Sequence, residues 1–89
     1  MIRMFVRHDV SDYAKWRAVY DGFDRERSGM GVRAQAVYQA VDNATDVTVT
    51  HDFDDMATAQ SFAGSSRLKE VMGEAGVAGA PQIWFTSPA

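Results

Sequence analysis

The sequence predicts an antiparallel α+β fold, with four strands in one sheet and the helices on one of its faces. Three observations carry this expectation. A short motif occurs twice, as His8-Asp9-Val10-Ser11-Asp12 and as His51-Asp52-Phe53-Asp54-Asp55, each time closing a β-like run and opening a helix-like one. Runs of period two alternate with runs of helical period, in the order β-α-β-β-α-β. The two middle strands are joined by Asp42-Asn43-Ala44, a turn that makes them an antiparallel hairpin.

Ile2 to Val10 alternates, lacks turn formers and reads as the first strand. Ile2, Met4, Val6 and His8 share its more apolar face, and Arg3, Phe5, Arg7 and Asp9 share the other. Ser11 or Asp12 supplies an N-cap oxygen for the helix that follows. That helix carries an aromatic stripe of Tyr13, Trp16, Tyr20 and Phe23, bordered by Val19, with Lys15, Asp21, Arg25 and Arg27 expected mostly towards solvent. Gly29-Met30-Gly31 ends it, because glycine tolerates the left-handed backbone of a C-terminal cap.

Val32 to Val41 reads as the second strand, with Val32, Ala34, Ala36, Tyr38 and Ala40 on one side and Arg33, Gln35, Val37, Gln39 and Val41 on the other. Thr45 to Phe53 is the third, placing Val47, Val49, His51 and Phe53 opposite Asp46, Thr48, Thr50 and Asp52. Asp54 or Asp55 caps a helical region with Met56, Ala59, Phe62 and Ala63, which Gly64-Ser65-Ser66 interrupts. A second short helix follows with Leu68, Val71, Met72 and Ala75. Pro81 bars further helix, and Gln82 to Thr86 forms the last strand. The order is that of the ferredoxin-like split βαβ arrangement.

Residues 1–89 make one domain. Chains of this length bury only roughly 60–65% of their unfolded surface, so the core is thin and a partner subunit would help it. A formal charge of −3 without a basic run argues against nucleic acid. No cysteine is present, which removes disulfides, thiolate metal sites and thiol nucleophiles. The N-terminal strand, interrupted by Arg3 and Arg7, is neither a leader peptide nor a membrane span, so no membrane contact and a cytoplasmic location are expected.

Two constellations carry candidate chemistry. His8 and His51 occupy equivalent points of the two halves, just before the helix caps. With strands one and three as a central parallel pair, both fall on the helix-facing side near the same end of the sheet. They would then form an acid/base or hydrogen-bonding pair at the mouth of a cleft. The alternative is two strand-end residues bonded to backbone or to a capping carboxylate. Asp9 and Asp52 alternate to the opposite face, which leaves no third ligand for a metal. Tyr13, Trp16, Tyr20 and Tyr38 form the second constellation. Such a stripe is ordinarily core, yet small Ala34, Ala36 and Ala40 leave space between the first helix and the second strand. A pocket there, apolar with a few hydroxyls, suits planar aromatic or polyketone ligands.

The other sheet face is expected to carry Phe5, Val37, Val41, Thr48, Thr50 and Trp84 among Arg3, Arg7, Arg33, Gln35 and Gln39. A half-apolar face of this kind points to two sheets packing together in a homodimer, with Phe5, Val37 and Trp84 at the contact. No phosphate-binding glycine loop, Gly-x-Ser-x-Gly elbow or His-Glu-x-x-His helix occurs.

The run His8-Asp9-Val10-Ser11-Asp12-Tyr13-Ala14-Lys15-Trp16 resembles the start of small bacterial proteins of the dimeric α+β barrel superfamily. So does His51-Asp52-Phe53-Asp54-Asp55, followed by Ala59, Phe62, Leu68, Met72, Ala75-Gly76-Val77 and Pro81. That superfamily includes antibiotic-biosynthesis monooxygenase-like proteins, polyketide cyclases and stress-responsive barrel proteins. The resemblance implies a sheet-to-sheet homodimer that binds a small organic molecule between sheet and helices, without a cofactor. It implies a pocket more firmly than a reaction. His8, His51, Tyr13 and Tyr38 are compatible with a cyclase pocket, and no complete signature of the cofactor-free oxygenases is present. Three readings stand: a cyclase or cofactor-independent oxygenase for a polyketone or phenolic compound, a non-catalytic ligand-binding or stress-related module, and an interaction protein with a filled core.

Overall fold

A computed structural model describes residues 1–89. Its elements are β1 (Ile2–Val10), α1 (Tyr13–Gly22), α2 (Asp24–Gly29), β2 (Ala34–Ala40), β3 (Asn43–Phe53), α3 (Met56–Ala63), α4 (Ser66–Glu74) and β4 (Val77–Thr86). The strands make one sheet in the order β2-β3-β1-β4, and every neighbouring pair is antiparallel. This is the ferredoxin-like architecture.

The helix starts follow the carboxylates and hydroxyls of the sequence. Asp12 accepts from the Lys15 amide at 3.2 Å, Asp55 from that of Thr58 at 2.8 Å, and Ser65 from that of Leu68 at 3.3 Å. Each satisfies one of the free amides of a first helical turn. The first helical region is two helices, α1 and α2, broken after Gly22, where a residue without Cβ weakens the helix. Phe23 at the break turns into the core. Gly31 has a φ of +99°, and an added Cβ there would run into the Thr58 methyl, so the entry to β2 requires glycine.

Four expectations are corrected. The central strands β1 and β3 run antiparallel, because two strands each feeding a helix that returns over the sheet must enter from opposite ends when β2 and β3 form a hairpin. On β2, Gln35, Val37 and Gln39 lie opposite His51, Val49 and Val47 and therefore share their helix-facing side. Ala34, Ala36 and Tyr38 pair with Asp52, Thr50 and Thr48 and belong to the open face, so Tyr38 and the alanines do not face α1 and Val37 does not face outward. The regular strand begins at Ala34, and buried Val32 before it misled the parity. Arg27, expected at the surface, is 2% exposed. Lastly, β4 begins at Val77. Its pairing with β1 jumps from Arg7–Gln82 to Asp9–Ala78, so Gly79, Ala80 and Pro81 leave the ladder beside His8. A bulge accommodates a residue that has no amide to donate.

Two apolar clusters fill the space between sheet and helices. One joins Met4, Val6, Phe23, Phe53, Phe62, Leu68 and Val71, and the other joins Val10, Trp16, Tyr20, Val47, Val49 and Ala75. On the open face, Phe5 and Trp84 stack with ring centroids 5.2 Å apart, and Tyr38 and Trp84 are exposed. Two bidentate ion pairs flank them, Arg3–Asp52 (2.7 and 3.1 Å) and Arg7–Asp46 (3.0 and 2.6 Å).

Candidate functional site

Val6 and Val49, opposite each other on β1 and β3, form the floor of a cavity of about 40 Å³ under the helices. Trp16, Tyr20, Phe62, Val71 and Met72 close it from above, and His8, His51 and Arg27 are its polar members. A space of this size holds a few waters and no larger molecule unless side chains move. Leu68 and Met72 also line a groove of about 270 Å³ between α4 and β4, so these two side chains lie between the cavity and that groove.

Both histidines face the helix side, as their parity predicts, but they do not meet. His8 lies opposite Val47 and His51 opposite Met4, four positions apart on β1, or roughly 13 Å. They line the same cavity from its two sides. His8 is 7% exposed and packs against Trp16, at 5.7 Å between centroids. Neither of its ring nitrogens has a hydrogen-bond partner. His8 also borders a polar groove of about 400 Å³, formed with Arg7, Asp9, Asp46 and the β4 bulge. His51 is 4% exposed and sits between Phe62 (5.1 Å) and Tyr20 (6.5 Å), with Nδ1 unpartnered. Neither histidine is tied to backbone or to a capping carboxylate, so the strand-end explanation does not describe them.

The two ends of the cavity differ in charge. Burial pushes the His8 imidazolium down, and the Asp9 and Asp46 carboxylates oppose that shift. Burial likewise lowers His51, to about 4, with the Arg27 guanidinium adding to the effect and Asp52 opposing it. Both rings are therefore neutral near pH 7, and His8 differs in having carboxylates nearby without a guanidinium opposing its charge.

The aromatic stripe is a continuous stack. Tyr13 and Trp16 lie 5.8 Å apart and Trp16 and Tyr20 4.8 Å apart, with the Arg27 guanidinium 3.8 Å over the Tyr20 ring. Trp16 and Tyr20 line the cavity, and Tyr13 lies outside its lining, packed on the second apolar cluster. The Tyr20 hydroxyl donates to Gln35 Oε1 at 3.0 Å, and burial pushes its pKa up to about 12, so it remains a phenol. Tyr38 is 57% exposed on the open face, on the other side of the sheet from this site. No three His, Asp or Glu side chains converge where they can hold a metal ion, and no helix is long and apolar enough to cross a membrane.

No protein-family model and no curated protein matches the chain. The structure is similar to that of a candidate antibiotic biosynthesis monooxygenase from Bordetella bronchiseptica, with a TM-score of 0.85 at 15% identity, covering 99% of this chain and 96% of that one. The fold is that of the antibiotic biosynthesis monooxygenases. SnoaB, a cofactor-independent oxygenase from Streptomyces nogalater, is similar at a TM-score of 0.81 and 8% identity, over 99% of this chain and 92% of its own. Rv0793 from Mycobacterium tuberculosis is similar at 0.73 and 14%, over 99% and 94%.

Within this fold, Arg27 is the cavity residue that sequence reasoning missed. The signal was present. The stripe 16, 20, 23 continues at helical spacing to 27, the next position on the buried face. A charged residue type overrode the period. Gln35, the partner of the Tyr20 hydroxyl, was missed with the parity of β2.

Proposed function

We propose that the chain binds a polyketone or phenolic compound in the cavity between sheet and helices. There it acts as a cyclase or cofactor-independent oxygenase, with His8 taking the proton that enolisation or phenol ionisation releases. The observation that carries this reading is the pair of buried imidazoles, free of partners and neutral, lining one apolar cavity. A general base needs an unoccupied nitrogen within reach of a bound molecule and a protonated form that its surroundings accept. His8 has both nitrogens free, and although burial disfavours its charge, Asp9 and Asp46 offset part of that cost. His51, beside Arg27, is a poor proton acceptor and a better hydrogen-bond donor to a developing oxyanion.

The test is α-proton exchange of 1-tetralone in heavy water, followed by NMR. Wild-type protein should accelerate it and His8→Gln should lose the acceleration by about a hundredfold or more, with an unchanged circular dichroism spectrum. Undiminished exchange in the variant rejects His8 as the base. One observation favours a non-catalytic ligand-binding or stress-related module instead: the cavity's 40 Å³ leaves no room for a reacting ring without opening at Met72. Binding of 1-tetralone with no exchange would establish that second reading.

The same proposal includes a homodimer through the open sheet face. The Phe5–Trp84 stack, Tyr38 and Ala36 offer an apolar strip, and both flanking arginines are already paired, so burial strands no charge. Trp84→Asp should convert a dimer into a folded monomer in sedimentation velocity. A wild-type protein that sediments as a monomer at micromolar concentration rejects the interface.

A further inference from the structure

Arg27 brings a permanent charge into the interior with one donor unused. Its Nη1–H donates to the Tyr20 carbonyl at 2.9 Å and its Nη2–H to Asp24 Oδ1 at 3.3 Å, while its enclosed Nε–H has no acceptor. The balancing carboxylate is 61% exposed and also accepts from Gln35 Nε2 at 2.7 Å, so it neutralises the guanidinium incompletely. A buried cation whose donors are not all met is strongly unfavourable unless something completes its shell. The same cavity holds a second unmet group, since His51 Nδ1 is enclosed without a partner. A neutral imidazole has one N–H to donate, on either nitrogen.

We propose that Arg27 and His51 form an anion subsite, and that the ligand is an organic acid or enol held through one anionic oxygen, as a carboxylate, phenolate or enolate. This rests on the reading of the cavity as a small-molecule site. A space of about 40 Å³ accepts an oxygen-bearing group and not a whole ligand. The apolar body of the ligand then extends past Leu68 and Met72 into the groove of about 270 Å³ between α4 and β4. Phe62, Val71 and Met72 around the subsite offer no competing acceptor. The guanidinium also lowers the pKa of whatever acid binds beside it, so a weakly acidic phenol or enol is held ionised. The chain's net charge of −3 gives no general attraction for anions, and a preference for them would be local to this cation.

Benzoate and benzyl alcohol are matched probes that differ in the anionic oxygen. In calorimetric titrations near neutral pH, benzoate should bind the wild type at least about tenfold more tightly, the scale of a charge-assisted hydrogen bond. Arg27→Met, which keeps the apolar stem, should narrow that preference to within about twofold. Equal affinity in the wild type, or a preference that survives in the variant, overturns the anion subsite while leaving a ligand cavity in place. Failure of both probes to bind at millimolar concentration overturns the cavity reading, and the subsite with it. A variant that does not fold is replaced by NMR of the wild type. The Arg27 Nε–H resonance should move downfield with benzoate and stay in place with benzyl alcohol, and a resonance unmoved by saturating benzoate overturns the assignment.

Discussion

Phe62→Ala is expected to destabilise the protein by about 3–5 kcal/mol. Phe62 is 1% exposed, packs edge-tilted on Phe53 at 5.4 Å and on His51 at 5.1 Å, and closes the cavity from the α3 side. Its removal forfeits the burial of a phenyl ring and merges the space it leaves with the cavity already present. The floor of that space is sheet, and sheet cannot collapse into a void as a loose loop can. A chain of this length has roughly 4–13 kcal/mol of total stability, so the loss is a large share of it. Urea unfolding followed by circular dichroism measures it directly. A cost below about 1 kcal/mol would mean that α3 settles onto β3 and fills the gap, and that the core is more plastic than its packing indicates.

Much of the fold was legible because its signals are local. The capping carboxylates Asp12 and Asp55, the aromatic stripe of α1 and the alternation of β1 and β3 each depend on a few neighbouring residues, and each has its counterpart in the structure. What the sequence could not settle depends on how segments meet. The parity of β2 hangs on where the regular strand starts, and Val32 and Val37 both look like inward residues although only a break between them lets both be so. The distance between His8 and His51 depends on the direction of the central pair. Equivalent positions in two halves of a pseudo-symmetric chain fall at opposite ends of antiparallel strands, so the doubled motif brings the histidines to one cavity but not to each other. Arg27 illustrates a different limit. Its spacing placed it inside, and only the balance of Tyr20 carbonyl, Asp24 and the Tyr20 ring makes an interior position tolerable. All three partners lie within seven residues of Arg27, yet a charged residue type gives no sign of which local groups will enclose it.

The buried histidines make stability depend on pH in a window that lies mostly above that of the paired carboxylates. His51 titrates at about 4 in the folded protein, against about 6.5 when the chain is unfolded. Between those values the unfolded state binds a proton that the folded state refuses, so stability is fully present above about pH 6.5 and falls as pH drops towards 4. The His8 shift has the same direction and adds to the loss. Asp46 and Asp52 are held below the usual carboxylate range by hydrogen bonds from Arg7 and Arg3, so their contribution is intact above the ordinary carboxylate pKa and fails only in more acidic solution. From about pH 7 to about pH 5, His51 alone should therefore cost about 2 kcal/mol, read as a lower urea midpoint at constant slope. His51→Phe should remove most of that dependence, because Nδ1 has no bond to lose and a phenyl ring fits between Phe62 and Tyr20. An anionic ligand beside Arg27 should act in the opposite sense on the His51 imidazolium, raising its pKa by offsetting the charge that now depresses it. A wild-type protein equally stable at both pH values would mean that His51 is already protonated or hydrogen-bonded in solution, and the neutral-donor role assigned to it would fall with that result.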